Sequence, residues 1–205
     1  VQQFGEAVSN RLAGDLSAAG VSWPPRAVVL LAFKDERRIE VYAGPATEDV
    51  RYVRSYPVLA ASGHPGPKRR EGDRQVPEGF YEVESLNPNS RFHVSLRLNY
   101  PSDEDLRAAA SEERPAQGLG GDIMIHGGAA SIGCLAVGDK AAEDLFVLAA
   151  LSACGRVPVL IAPVDFRSRP MPSSVAPDAP WVAERYAALA ARLKDFVRPG
   201  PPPVR

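Results

Sequence analysis

Ile123-Met124-Ile125-His126-Gly127-Gly128-Ala129-Ala130-Ser131-Ile132-Gly133-Cys134 runs from an apolar triplet through a histidine into a glycine-rich loop that closes on a cysteine. The triplet predicts a short buried strand, and His126 stands at its end, where a rigid scaffold presents a side chain to a cleft. A thiol attacks a carbonyl only as the thiolate, and an imidazole within reach takes its proton and steadies the charge. His126 and Cys134, eight positions apart, are therefore candidates for a base and a nucleophile in acyl transfer. Gly133 allows a tight turn, and the N–H groups of Gly133 and Cys134 are expected to form an oxyanion hole. On residue type alone, a single histidine or cysteine is more often a packed side chain than a reactive one.

Beyond Cys134, a helix is predicted from about Lys140 to Cys154, with Asp139 as N-cap, Glu143 and Asp144 in the first turn and Gly155 as C-cap. Cys154 ends an apolar run and is expected to be packed. Upstream, short apolar or alternating runs cover Val28 to Phe33, Arg38 to Tyr42, Tyr52 to Ala60, Gly79 to Val83 and Arg91 to Leu98, and Val157 to Ile161 follows. Punctuated by Pro, Gly and Asn, they predict a strand-rich domain. Phe4, Val8, Leu12 and Leu16 recur at helical spacing and stop at Gly20, predicting an amphipathic helix over Gln2 to Ala19. Val182, Tyr186, Leu189, Leu193 and Phe196 form a second apolar stripe, from about Trp181 to Val197. Between them, Arg167 to Pro180 reads as an extended Pro- and Ser-rich connection, and the prolines after Pro199 as a disordered tail.

The chain of 205 residues is 45% hydrophobic with a formal net charge of −1, enough for a sizeable core and without the cationic footprint of a nucleic-acid or anionic-membrane binder. No apolar run approaches the roughly 20 residues that span a bilayer. The first residues carry no basic-then-apolar leader, so the chain is expected to be a mature or trimmed form. Cys134 and Cys154 are the two cysteines, and they make no disulfide framework. The residues offer no short ligand pair such as Cys-x-x-Cys or His-x-x-x-His, so neither a metal nor another cofactor is expected.

Several motifs follow one another in a recognisable order: Ser62-Gly63 with Gly66-Pro67-Lys68, Gly72-Asp73 with Gln75, Pro77-Glu78-Gly79-Phe80-Tyr81, Asn87-Pro88-Asn89-Ser90, Phe92-His93-Val94-Ser95, Tyr100-Pro101, Ile123 to Gly127, and Ser131-Ile132-Gly133-Cys134. Residues from about Val28 to Pro163 resemble the L,D-transpeptidase catalytic domain of the YkuD type, and within it the YafK-like murein L,D-transpeptidase subgroup. The resemblance implies a β-sandwich catalytic domain, hence a mainly β (α+β) fold with peripheral helices. It divides the chain into an N-terminal helix over 1–20, the catalytic domain over 24–164, and a connection, C-terminal helix and tail over 165–205. It also implies Cys134 as nucleophile, His126 as base and the carbonyl of Gly127 as the group that orients the imidazole. Two positions depart from many relatives: Ile132 and Ala136 stand where a histidine and an arginine are found, which leaves the substrate carboxylate without that cation.

Ser131, His93 and Lys68 are the remaining substrate-binding candidates. Alternation in Phe92-His93-Val94-Ser95-Leu96 puts Phe92, Val94 and Leu96 toward the core and His93 and Ser95 toward solvent or a cleft. Lys68 belongs to a short cationic run with Arg69 and Arg70, and it could meet a peptide carboxylate. His64 reads as a solvated loop residue. By resemblance the substrate is a peptidoglycan stem peptide, attacked by Cys134 to give a thioester, with an envelope lipoprotein as a further partner and the bacterial periplasm or cell envelope as the location. Two alternatives stand beside transpeptidation: a hydrolase that releases a lipoprotein or a terminal residue from the wall, and a non-catalytic wall-binding module. A general cysteine protease lacks its separate downstream His and Asn pattern.

Overall fold

The computed structural model describes residues 1–171 and 178–198. The prolines read as a tail lie outside these residues, as does the middle of the Pro- and Ser-rich connection. Eight strands form one sheet: β1 (Ala27–Phe33), β2 (Arg38–Ala46), β3 (Asp49–Pro57), β4 (Gly79–Ser90), β5 (His93–Leu98), β6 (Met124–His126), β7 (Leu135–Ala136) and β8 (Pro158–Ala162). Among the described residues four α-helices accompany them, α1 (Gly5–Ala19), α2 (Asp103–Ser111), α3 (Asp139–Leu151) and α4 (Pro180–Leu193), with a short 3-10 turn at Ala116–Gly118. The fold is mixed α+β and mainly β.

The strand order is β3-β2-β1-β8-β4-β5-β6-β7. β4 joins the two halves, because Gly79 to Glu82 pair with β8 while the strand from Val83 to Ser90 pairs with β5. One core gathers Val28, Leu30, Ile39 and Val41 from the first half with Val94, Leu96 and Ile125 from the second, closed by Val8, Leu12 and Leu16 of α1 and Leu145 and Leu148 of α3. A second core on the other face sets Val29, Leu31 and Phe33 against Val182, Tyr186, Leu189 and Leu193 of α4. β1 is covered on both faces, which is why it reads as an unbroken apolar run instead of an alternation. Each Leu or Val removed from water in these layers contributes about 1.5–3 kcal/mol before chain entropy is counted.

The C-terminal stripe is buried throughout, and the N-terminal one is buried at Val8, Leu12 and Leu16, while Phe4 is half-buried and stands as the N-cap of a helix that begins at Gly5. α1 ends where Gly20 takes a left-handed conformation (φ 66°) and lets its N–H reach the last carbonyls. α4 begins with Pro180 in its first turn and stops at Leu193, short of Val197, although Phe196 stays buried. α3 differs from its expectation at both ends. Gly138 is its N-cap, and Asp139 instead accepts the N–H of Gly128 at 2.8 Å. The helix stops at Leu151 because the N–H groups of Ala153 and Cys154 turn to the carbonyl of Arg26, at 2.8 and 3.0 Å. Cys154 is consequently exposed, not packed. Glu143 and Asp144 do more than favour a helix start: Arg11 of α1 donates to both at 2.9 Å, and Tyr56 donates to Asp144 at 2.8 Å, tying α1 and β3 to α3.

α2 and β7 have no counterpart among the predicted elements. α2 is nucleated by a reciprocal cap, with Ser102 accepting from the N–H of Asp105 and Asp105 accepting from the N–H of Ser102. Among the described residues no helix is long and apolar enough to cross a membrane.

Candidate active site

The site is built at the end of the sheet. β6 pairs antiparallel with β5, placing Ser95 opposite His126, and parallel with β7, placing His126 opposite Ala136 and Ile125 opposite Leu135. Parallel neighbours ordinarily need a crossover of a dozen residues or more. Here the segment from Gly127 to Cys134 suffices, with Gly128 (φ 71°) and Gly133 (φ 93°) supplying left-handed turns. Cys134 immediately precedes β7, whose Leu135 pairs with Ile125, the residue before His126.

Gly127 is packed too tightly for a side chain. A Cβ there would stand 2.6 Å from the carbonyl oxygen of Phe92, 2.6 Å from Asp139 Oδ1 and 3.0 Å from His93 Cβ. Its N–H donates to Val94 O at 3.2 Å, and Val137 donates to His126 O at 3.0 Å. His126 is thus clamped by backbone on both sides and is only 2% exposed. Its Nδ1 lies 2.6 Å from Gly127 O. A carbonyl oxygen only accepts, so Nδ1 is the donor in this contact.

The Cys134 thiol donates to Asp122 O at 3.5 Å. No hydrogen bond joins the imidazole and the thiol. Burial pushes the thiol pKa up, a backbone hydrogen bond at Met124 and the Lys68 charge act against the rise, and the Asp122 carboxylate adds to it.

Several expected roles are changed by the contacts. The N–H groups of Gly133 and Cys134 are not open as an oxyanion hole: Gly133 donates to Ser62 Oγ at 2.6 Å and Cys134 to Ser131 Oγ at 2.9 Å. Ser131 in turn donates to Cys134 O at 2.6 Å, so it locks the turn rather than facing a substrate. Ser62 also donates to Arg74 O at 2.8 Å, stitching the 62–76 loop to the cysteine turn. Lys68 is no free cation. It is buried, donating to Asp73 Oδ1 at 2.7 Å and to Arg70 O at 2.8 Å. His93 has its Nε2 2.9 Å from Glu143 Oε1 and its ring 5.3 Å from Phe4, an anchor between β5, α3 and α1. Ser95 is wholly buried, with no partner for its hydroxyl among the described residues, instead of facing solvent. Phe92 is not in the core: it is 42% exposed, and its ring lies 4.6 Å from that of His126. His64 is exposed as expected, held by Pro65 O and Gln75.

Ser62, Asp139 and Phe92 are site residues that sequence reasoning assigned elsewhere or not at all. The 62–76 loop is itself held by a buried lysine. Lys34 Nζ sits 2.9 Å from Glu78 Oε1 and donates to Gly66 O and Val76 O at 2.8 Å each, while Glu78 also accepts from Gly66 N and Tyr186. A cleft of about 530 Å³ lies beside the loop, lined by His64, Gly66, Arg69, Arg70, Gln75 and Arg114 among others, and not by Cys134 or His126. Among the described residues no group of three or more His, Cys, Asp or Glu is arranged to hold a metal ion.

Residues 27–161 match the profile of the YkuD family, the L,D-transpeptidase catalytic domain. YafK of Escherichia coli strain K12, provisionally named an L,D-transpeptidase, is 36% identical over 121 residues, covering 58% of this chain and 46% of that protein. Its counterpart from Escherichia coli O157:H7 matches equally. The chain thus spans about half the length of the curated relatives it matches. Among solved structures, the helical cell shape determining protein Pgp2 of Campylobacter jejuni superposes with a TM-score of 0.51 at 22% identity, covering 73% of this chain and 54% of that one.

Proposed function

The chain belongs to the L,D-transpeptidase catalytic domain (YkuD) family, and from that premise we propose that it is a cysteine-dependent L,D-transpeptidase acting on peptidoglycan stem peptides in the bacterial cell envelope. The observation that carries the proposal is the 2.6 Å contact between His126 Nδ1 and Gly127 O, which occupies one ring nitrogen and leaves Nε2 as the one available to a proton donor. A backbone oxygen thereby takes the place that a carboxylate holds in a serine-protease triad.

In the proposed cycle the thiol leaves Asp122 O and turns toward Nε2, which takes its proton. Contacts of this kind are often loose before substrate binds. The thiolate adds to the carbonyl carbon on the L-centre side of a bond between an L- and a D-configured centre. The tetrahedral species then collapses as its C–N bond breaks, and the imidazolium at His126 returns its proton to the departing amine of the D-residue. The acyl group is left on sulfur as a thioester. An amine acceptor, from a neighbouring stem or from a lysine of an envelope lipoprotein, gives up a proton to His126 and displaces the sulfur. Water in that position makes the protein a hydrolase that releases its substrate from the wall. The two outcomes share Cys134 and His126 and differ only in what reaches the thioester.

The test is mass-resolved product analysis with defined tetrapeptide muropeptides and, in parallel, muropeptides bearing a lipoprotein-derived lysine, each beside Cys134→Ala. Cross-linked or amino-acid-exchanged products absent from the variant support transpeptidation, and loss of the lysine with uptake of water supports the hydrolase. No Cys134-dependent product from either substrate would overturn catalysis and favour a wall-binding module.

A further inference from the structure

Phe92 occupies a position where neither turn chemistry nor core packing calls for an aromatic ring. It lies in the link between β4 and β5, where its N–H donates to Ser90 Oγ at 3.2 Å. A register shift between Asn87 and Ser90 and a left-handed His93 (φ 73°) break the alternation that would have turned Phe92 into the core. The ring is delivered instead onto His126, with centroids 4.6 Å apart and planes inclined at 30°. That is a tilted ring contact, at a centroid separation within the range of favoured aromatic pairs. Phe92 remains 42% exposed while the imidazole beneath it is 2% exposed, so the ring serves as a cover. Its backbone is held equally firmly: Phe92 O packs against Gly127, and the neighbouring His93 is fixed by Glu143 Oε1 at 2.9 Å and by the ring of Phe4.

We propose that Phe92 is a positioning residue for the base, an inference that rests on the reading of His126 given above. Gly127 O fixes one nitrogen of the imidazole but leaves the ring free to swing about that hydrogen bond. A flat partner on one face removes that freedom, holding Nε2 toward Cys134, and it keeps water from that face. Phe92 acts only through the His126 ring. His93, Glu143 and Phe4 hold the turn that carries it, which links α1 to the orientation of the base.

The test is the pH dependence of Cys134 alkylation by iodoacetamide in the wild type, His126→Ala, Phe92→Ala, Phe92→Leu and Phe92→Tyr, with thermal unfolding recorded for each. The expected result is a neutral-pH limb that disappears in His126→Ala and falls about tenfold in Phe92→Ala, a fraction of the 10²–10⁴ that a well-placed base supplies. Phe92→Tyr keeps the flat ring and should stay within about twofold of the wild type, with Phe92→Leu in between. If His126→Ala removes the limb but Phe92→Ala stays within twofold of the wild type at an unchanged Tm, the positioning role is refuted and the base stands. If His126→Ala leaves the profile intact, the assignment of the base fails and this inference with it. Should Phe92→Ala not fold, the comparison of Phe92→Leu with Phe92→Tyr decides, and equal rates there overturn the proposal.

Discussion

Replacing Lys34 by methionine should destabilise the protein by about 3–5 kcal/mol, the cost of stranding one partner of a buried ion pair. Lys34 continues from the end of β1 and reaches beneath the 62–76 loop. Its side chain is 4% exposed and that of Glu78 0%, with Nζ and Oε1 2.9 Å apart. Methionine fills a similar volume, so the loss is electrostatic more than steric. It leaves Glu78 with Gly66 N and the Tyr186 hydroxyl as partners, at 2.7 and 2.5 Å, and takes the donor from Gly66 O and Val76 O. In a domain of this size each kcal/mol moves Tm by about 2–4 °C, so the melting point should fall by roughly 6–20 °C. Urea unfolding of Lys34→Met, Glu78→Gln and the double variant closes a cycle. The double variant should lose less than the sum of the singles, because a glutamine in place of Glu78 carries no charge to strand. A Lys34→Met variant within about 1 kcal/mol of the wild type would refute the claim that this pair anchors the loop.

Other substitutions separate the contacts around the site. Gly127→Ala puts a methyl 2.6 Å from the backbone oxygen of Phe92 and should cost at least 1–3 kcal/mol, whereas Gly14→Ala, with nothing within 4 Å in the middle of α1, should stabilise by about 0.5–1 kcal/mol; chemical denaturation of the pair reads both. Ser62→Ala leaves the Gly133 N–H without its 2.6 Å acceptor and should cost about 1 kcal/mol while changing the Cys134 alkylation rate more than the Cys154 rate. Burial pushes the Asp73 carboxyl up, but hydrogen bonds from Lys68 and the N–H groups of Arg70, Gln75 and Arg69 outweigh it and hold the pKa below its usual value. Its contribution is therefore complete above the unfolded carboxylate range, near pH 4, and is lost as pH falls through the lower folded value. Asp73→Asn should cost roughly 1 kcal/mol at pH 7 in this partly solvated loop, and its stability curve should converge on that of the wild type below pH 4.

What could be read from the chain was whatever local pattern decides. The unbroken run of β1, the stripes of α1 and α4 and the strand ending in His126 are all short-range signals, and the structure contains each element. The missing parts depend on long-range contacts. α3 ends early because Arg26, far back in the chain, takes its last N–H groups. Ser62 reaches Gly133 across 71 positions, a spacing with no periodicity to betray it. Phe92 follows alternation on paper and escapes it through the irregularity at Ser90 and the left-handed His93. α2 was the most readable omission, since Ser102 and Asp105 stand in capping-box spacing just after Pro101. Asp139 shows the reverse error: an acidic residue at a helix start suggests a cap, and here it holds the Gly128 backbone two residues after His126.

The most direct measurement is the intact mass of the protein after brief incubation with a tetrapeptide stem donor and rapid acid quenching, beside Cys134→Ala and His126→Ala. The account predicts an adduct equal to the stem peptide less its terminal D-residue, located on Cys134, absent from Cys134→Ala and much slower to form in His126→Ala. Donor turnover that persists in Cys134→Ala would contradict it, as would an adduct on Cys154 or a rate indifferent to His126.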